Sequence, residues 1–308
     1  MSRIDPFQLT EAQMRAFNAI ARERSFSKGA RLLGVSQPAV TQQVRKLEQA
    51  FEVVLFERRG SGGVDLTEIG QRLFRITQAL DDINAMALGV LRRQRATTSG
   101  RLRIATASPQ VFMPLLARFR ARYPDVDLDV FVGGTHDALN KLIDREADIG
   151  LFPLAGNDPR LLSRPVVRQR LMALVPSGHK LASRASVSLP ELVSHPMIFR
   201  TSASFTQTLA DEALRDQRIA VHPALRLQSR EAAIEAVANG IGVGFILSED
   251  MTGDPRIKPV RLARVHKTVM EGVVCLKQRF ELSPINDFFN FAVEQQGATT
   301  VKGGRHDV

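Results

Sequence analysis

Between Thr67 and Ala96 the chain has no proline, and Ile69, Leu73, Ile76, Leu80, Ile83, Ala87 and Val90 alternate spacings of four and three. At about 1.5 Å per residue this segment predicts a helix about 45 Å long. Its apolar stripe is the narrow seam of a coiled coil rather than the broader face of a globular helix, so it needs a partner helix. The 308-residue chain is long enough for two or three domains of about 100 to 150 residues. A linker helix here separates a small N-terminal part from a large C-terminal one.

The segment before it reads as three helices and a hairpin. Thr10 caps a helix to Arg24, with Met14, Phe17, Ala19, Ile20 and Ala21 at helical spacing. A short helix from Ser27 to Leu33 is broken by Gly34. Ser36 then caps a third helix with Pro38 in its first turn, where proline loses no hydrogen bond. Val40, Val44, Leu47 and Phe51 form its buried stripe. Val53 to Arg59 and Val64 to Leu66 read as strands around the tip Gly60-Ser61-Gly62-Gly63. The short helix, glycine turn and third helix have helix-turn-helix proportions. Ser36, Gln37, Thr41, Gln42 and Arg45 are its exposed face, donors and acceptors of the kind a major groove requires. Arg58 and Arg59 would contact the DNA backbone as a wing.

After the polar hinge Ala96-Thr97-Thr98-Ser99-Gly100, strands alternate with helices. Strands are expected at Arg101 to Ala105, Val126 to Val132, Ala147 to Phe152, Arg170 to Val175, Ala224 to Leu227, Val243 to Leu247 and Val269 to Leu276. Helices are expected at Pro109 to Tyr123, Asp137 to Arg145, Phe205 to Arg215, Arg230 to Asn239 and Pro284 to Gln295. Such alternation predicts open parallel sheets flanked by helices in two units, the last helix returning to the first.

These residues resemble the LysR-type transcriptional regulators. The resemblance is carried by Phe26-Ser27 through Ala30, Val35 through Glu48, Leu55-Phe56-Glu57-Arg58 and Leu66-Thr67-Glu68-Ile69-Gly70. It continues through Phe119 to Pro124, Asp148-Ile149-Gly150-Leu151, Val175 to Leu181 and Ala236 to Gly244, leaving only the tail from about Gln296 outside. It implies an all-α winged helix-turn-helix with a long linker helix, then an α/β two-lobed effector domain like a type 2 periplasmic binding protein. The implied limits are 1–66 for the DNA-binding domain, 67–96 for the dimerising helix, 97–100 for the hinge and 101–296 for the effector domain. Lobe I covers about 101–165 and 269–296, lobe II about 166–268, and 297–308 is a flexible tail. The implied partners are promoter DNA, a small effector, RNA polymerase and further copies of the chain, as a homodimer through the linker helix and a homotetramer. Gly29 stands where the family usually has alanine, which predicts a weakened second helix, by about 0.5 to 1 kcal/mol.

An effector would lie between the lobes, where helix N-termini present backbone N–H groups. The candidates are Thr106, Ser108, Thr135, His136, Phe152, Arg200, Thr201, Ser202, Ser204, Ser229 and Phe245. Hydroxyls, helix N-termini and one arginine favour a small anion. Asp158 to Leu161, Ser229 to Ala232 and Val273 to Leu276 resemble a LysR subgroup associated with aminoethylphosphonate catabolism, which implies a phosphonate effector such as 2-aminoethylphosphonate. Gln207 stands where a basic residue is expected in that subgroup.

The alternative is a ligand-binding or enzymatic α/β protein without regulatory DNA binding. Against an enzyme, Cys275 lies inside an apolar strand, and histidines 136, 179, 195, 222, 266 and 306 lack metal-ligand spacing. Gly240, Gly242 and Gly244 precede a strand, where a dinucleotide fingerprint would follow one. A free solute-binding protein would need a leader and no DNA-binding head. No metal or cofactor is expected, and the single cysteine and absent leader pattern point to the cytoplasm. The formal charge of +10 suits a polyanionic partner. Yet residues 100–308 hold 27 Lys and Arg against 22 Asp and Glu, so half the excess lies outside the DNA-binding head and linker.

Overall fold

A computed structural model describes residues 9–59, 63–92, 100–154, 156, 158–251 and 253–300, with backbone only for 81–82, 84–92 and 296–300. The chain divides into two compact units, residues 1–94 and 95–308. The Ala96 to Ser99 part of the expected hinge, the Gly60 to Gly62 tip and the tail from residue 301 lie outside the described residues.

In the first unit α1 (Glu11–Glu23) opens with a reciprocal cap: Gln13 N donates to Thr10 Oγ1, and Thr10 N donates to Gln13 Oε1. Helix α2 (Phe26–Leu33) starts at Ser25 and ends at Gly34, whose φ of +68 suits glycine and turns its N–H back to the Ala30 and Arg31 carbonyls. Ser36 caps α3 (Gln37–Phe51). Phe17 and Ile20 of α1, Ala30 of α2, and Val40, Val44 and Leu47 of α3 close one core with Leu55. The hairpin is shorter than expected, β1 (Phe56–Arg58) against β2 (Val64–Leu66). Val53 to Leu55 is a connector instead, because Glu48 Oε1 accepts the Leu55 N–H at 2.8 Å and leaves it no ladder partner.

Gly29 is buried against α1. A Cβ there would lie 2.9 Å from Ile20 N and 3.0 Å from Ala19 C, both backbone atoms. The expected propensity cost is therefore outweighed: only glycine allows α1 and α2 to pack this closely.

Helix α4 (Glu68–Arg92) follows Thr67, whose hydroxyl accepts from Gly70 N and donates to the Val54 carbonyl. Thr77 Oγ1 donates to Asn18 Oδ1 at 2.5 Å, a buried link between α4 and α1. Along the described part of the seam, Leu73 joins the core, while Ile69, Ile76, Leu80 and Ile83 are exposed.

The second unit is built on a mixed sheet. Strands β3 (Gly100–Thr106), β4 (Val126–Val132) and β5 (Ile149–Pro153) are mutually parallel, with α5 (Pro109–Arg122) and α6 (Thr135–Ile143) between them. The expected strand at Arg170 is the second half of β6 (Leu161–Pro176), sixteen residues long. It crosses into a second lobe of β7 (Ser186–Val187), α7 (Leu189–Val193), β8 (Ile198–Arg200), α8 (Phe205–Asp216), β9 (Leu225–Leu227), α9 (Arg230–Ala238), β10 (Gly244–Leu247) and β11 (Ile257–Leu262). The return strand β12 (Thr268–Leu276) runs antiparallel to β5 and β6, so the sheet is mixed, not parallel. A two-way crossing must supply one strand in each direction, which alternation of strands and helices does not reveal. The β12–β6 register slips between Glu271 and Gly272, midway along that crossing.

Helix α10 (Ile285–Thr300) packs Phe288 and Phe291 on Phe119 of α5, returning the chain to the first lobe and continuing past 296, where the tail was expected. Asp148, at the start of β5, holds Arg103 at 2.7 Å and Arg279 at 2.6 Å. Burial pushes its carboxyl up, but the two guanidinium groups outweigh this and hold it below the ordinary value.

Candidate DNA-binding face and effector cleft

Gln37, Pro38, Thr41, Gln42, Arg45, Lys46 and Gln49 line one open face of α3, opposite the buried Val40, Val44 and Leu47. Two hydroxyls on it are engaged at home: Ser36 Oγ accepts from Ala39 N, and Thr41 Oγ1 donates to the Gln37 carbonyl at 2.8 Å. Arg45 forms no ion pair with a described residue, leaving its guanidinium available. On the hairpin, Arg58 is exposed, while Arg59 Nε sits 3.0 Å from Asp65 Oδ2. Asp65 also holds Arg24, at 3.5 Å, which ties the hairpin to the end of α1.

In the second unit the residues expected at the cleft separate into three groups. Thr106 and Ser108 are buried at the end of β3. Thr106 Oγ1 donates to the Leu151 carbonyl and accepts from Ser108 N, so it holds the loop's shape. Ser108 precedes α5 but does not cap it, because its hydroxyl donates to Glu271 Oε1 at 2.8 Å. Arg200 and Phe245 line a pocket with Arg230, Asp250, Gln207 and Thr206.

The second group consists of helix starts. Ser204 accepts from Gln207 N and Ser229 from Ala232 N, so both are N-caps. Thr201 N donates to the Leu227 carbonyl, and Ser202 is exposed beside it. Gly134, not Thr135, is the N-cap of α6, and no hydrogen bond of Thr135 or His136 reaches the Arg200 pocket among the described residues. The third group is Phe152 alone, which departs from expectation. It shares a face of β5 with Gly150, lies over that glycine, and is buried with Ala138, Leu142 and Val274. Helix α6 covers that face, so Phe152 is core rather than cleft wall.

Four important side chains were not anticipated. Arg230 reaches across from α9: Nη2 donates to the Ala107 carbonyl at 3.0 Å, Nη1 donates to Gln110 Oε1 at 2.5 Å, and Nη2 lies 3.3 Å from Asp250 Oδ2. Glu271 is fully buried; its Oε1 also accepts from Gln169 Nε2 at 2.6 Å, and Gln169 Oε1 accepts from Glu249 N. Burial, reinforced by the nearby Asp250 charge, pushes the Glu271 carboxyl up to about 7. Burial likewise raises Asp250, against the pull of Arg230 and Arg200, and lowers Arg200, with Arg230 adding repulsion. The available signal was a lone acid inside the apolar run Val269-Met270-Glu271-Gly272-Val273. Among the described residues no group of three or more His, Cys, Asp or Glu could hold a metal ion, and no helix is long and apolar enough to cross a membrane.

Comparison with known proteins places both units. Residues 12–71 match the bacterial regulatory helix-turn-helix of the lysR family, and residues 95–297 match the LysR substrate binding domain. The chain belongs to the LysR family. LysR relatives include the HTH-type transcriptional activator CmpR of Synechocystis sp., 30 % identical over 240 residues, 76 % of this chain and 77 % of that one. A full-length OxyR variant from Pseudomonas aeruginosa has the same fold, with a TM-score of 0.78, 20 % identity and coverage of 92 % of this chain and 95 % of that one. Full-length CbnR complexed with its target DNA gives a TM-score of 0.62 at 18 % identity, covering 94 % and 100 %. This LysR protein is therefore a DNA-binding transcriptional regulator with an effector-binding domain, not an enzyme.

Proposed function

We propose that α3 reads promoter DNA through Ser36, Gln37, Pro38, Thr41, Gln42 and Arg45, with Arg58 and Arg59 on the backbone, and that a small anionic effector binds between the lobes. The observation that carries the effector reading is Arg200, half-buried beside Arg230, with its Nε unpartnered. A buried guanidinium without its full set of acceptors favours an anion. The exposed seam Ile69, Ile76, Leu80 and Ile83 supports dimerisation through α4, which would double the number of phosphate contacts and their salt dependence. A tetramer and contact with RNA polymerase belong to the same proposal, as the family resemblance implies them. The working mechanism is population shift: an effector favouring one lobe arrangement alters how paired α3 helices meet DNA.

The test is calorimetry of the full chain against small carboxylates, sulfonates and phosphonates, 2-aminoethylphosphonate among them, with promoter binding measured alongside. Anion binding that is abolished by Arg200→Ala and that shifts promoter affinity is expected. Anion binding unaffected by that substitution would reject the site.

A further inference from the structure

The polar atoms left without partners around the Arg200 pocket are of two kinds. Arg200 Nε and Arg230 Nε are buried donors, whereas Asp250 Oδ1 is a buried acceptor in the same pocket. Asp250 is 1 % exposed. A simple anion could satisfy the guanidinium groups but would meet the Asp250 carboxylate with repulsion. An oxygen left unpaired in a buried site is costly, and the more so for a charged group. The pocket is thus polarised, with cationic groups on β8 and α9 and acid after β10.

Building on the effector-cleft reading, we propose that the effector is a zwitterion: a small acid whose anionic group faces Arg200 and whose ammonium group, a short carbon spacer away, donates to Asp250. Such a molecule pairs the unsatisfied donors and the acceptor together, which neither an anion nor a cation alone can do. The free space between these side chains is about 20 Å³, room for a single water. Entry therefore requires the lining side chains to move, and Arg230 is the one among them bonded to the first lobe, through Ala107 and Gln110. Binding would thereby change the bond between the lobes, and the Arg230–Asp250 pair supplies the link between ligand charge and lobe arrangement.

Matched pairs of probes test this by calorimetry on the full chain: β-alanine against propionate, taurine against ethanesulfonate, and 2-aminoethylphosphonate against ethylphosphonate. In at least one pair the amino acid is expected to bind at least tenfold tighter, about 1.4 kcal/mol. Asp250→Asn should reduce that preference to about twofold, weakening the amino acid and tightening the plain anion whose repulsion it removes, and Asp250→Glu should retain the preference. Circular dichroism of both variants checks that they fold. Anions that bind as tightly as their amino counterparts, or a preference that survives Asp250→Asn, would overturn the zwitterion while sparing the anion site. If none of the six binds, the anionic-effector reading falls and the zwitterion with it.

Discussion

The Ser108 hydroxyl donates to the Glu271 carboxylate at 2.8 Å, joining the loop before α5 to the point where the β12–β6 register slips. Glu271 also holds Gln169 on β6, and through it the Glu249 backbone, so one buried acid links the first lobe, the crossing strands and the second lobe. The contact sits on the two strands that are the covalent routes between the lobes.

Its raised carboxyl sets a pH dependence. Between the ordinary 4.5 and about 7 the folded chain binds a proton at Glu271 that the unfolded chain has released. The stability of the second unit is therefore expected to fall as pH rises through that window. Glu271→Gln should flatten this slope in denaturant titrations at pH 5, 6, 7 and 8. An unchanged slope would show that Glu271 does not titrate there.

Gly29→Ala is expected to destabilise the first unit despite alanine's better helix propensity. The gain is about 1 kcal/mol, whereas the new methyl would collide with backbone of α1 that cannot move without shifting the Phe17 and Ile20 core. A net loss of about 1 to 2 kcal/mol in chemical denaturation is expected. A rise in melting temperature would show that the helices separate freely.

Arg45→Ala should weaken binding to the operator by about 1 to 3 kcal/mol and relax the preference at one base position. Titrations with single-base operator variants read this directly. Equal weakening on every sequence, with a shallower salt slope, would reassign Arg45 to a phosphate.

Cys275 lies fully buried in β12, and burial pushes its thiol up to about 12. It should resist alkylation in the native chain at pH 8 and react only on unfolding. Rapid labelling of folded protein, followed by mass spectrometry, would contradict this.

Helix starts were legible because capping is local. Thr10, Ser36, Ser204 and Ser229 each bond a backbone N–H three residues ahead, so four residues of sequence contain the whole interaction. Ser108 and Thr135 show the limit of that logic. Ser108 finds a partner 163 positions away, and Thr135 lies one residue inside its helix. Phe152 was misplaced because a strand buried on both faces carries no alternation to say which covering layer a side chain meets.

What the sequence determined by itself was the order of elements, the exposed polar face of α3 and the family, all properties of short spacings and contiguous motifs. Tertiary structure alone decided the pocket around Arg200. Arg200, Arg230, Asp250 and Glu271 come from four separate elements, and their burial and charges acquire meaning only when the crossing strands bring them within reach. Electrostatic coupling depends on distance in space and on excluded water, and neither is written in the distance along the chain.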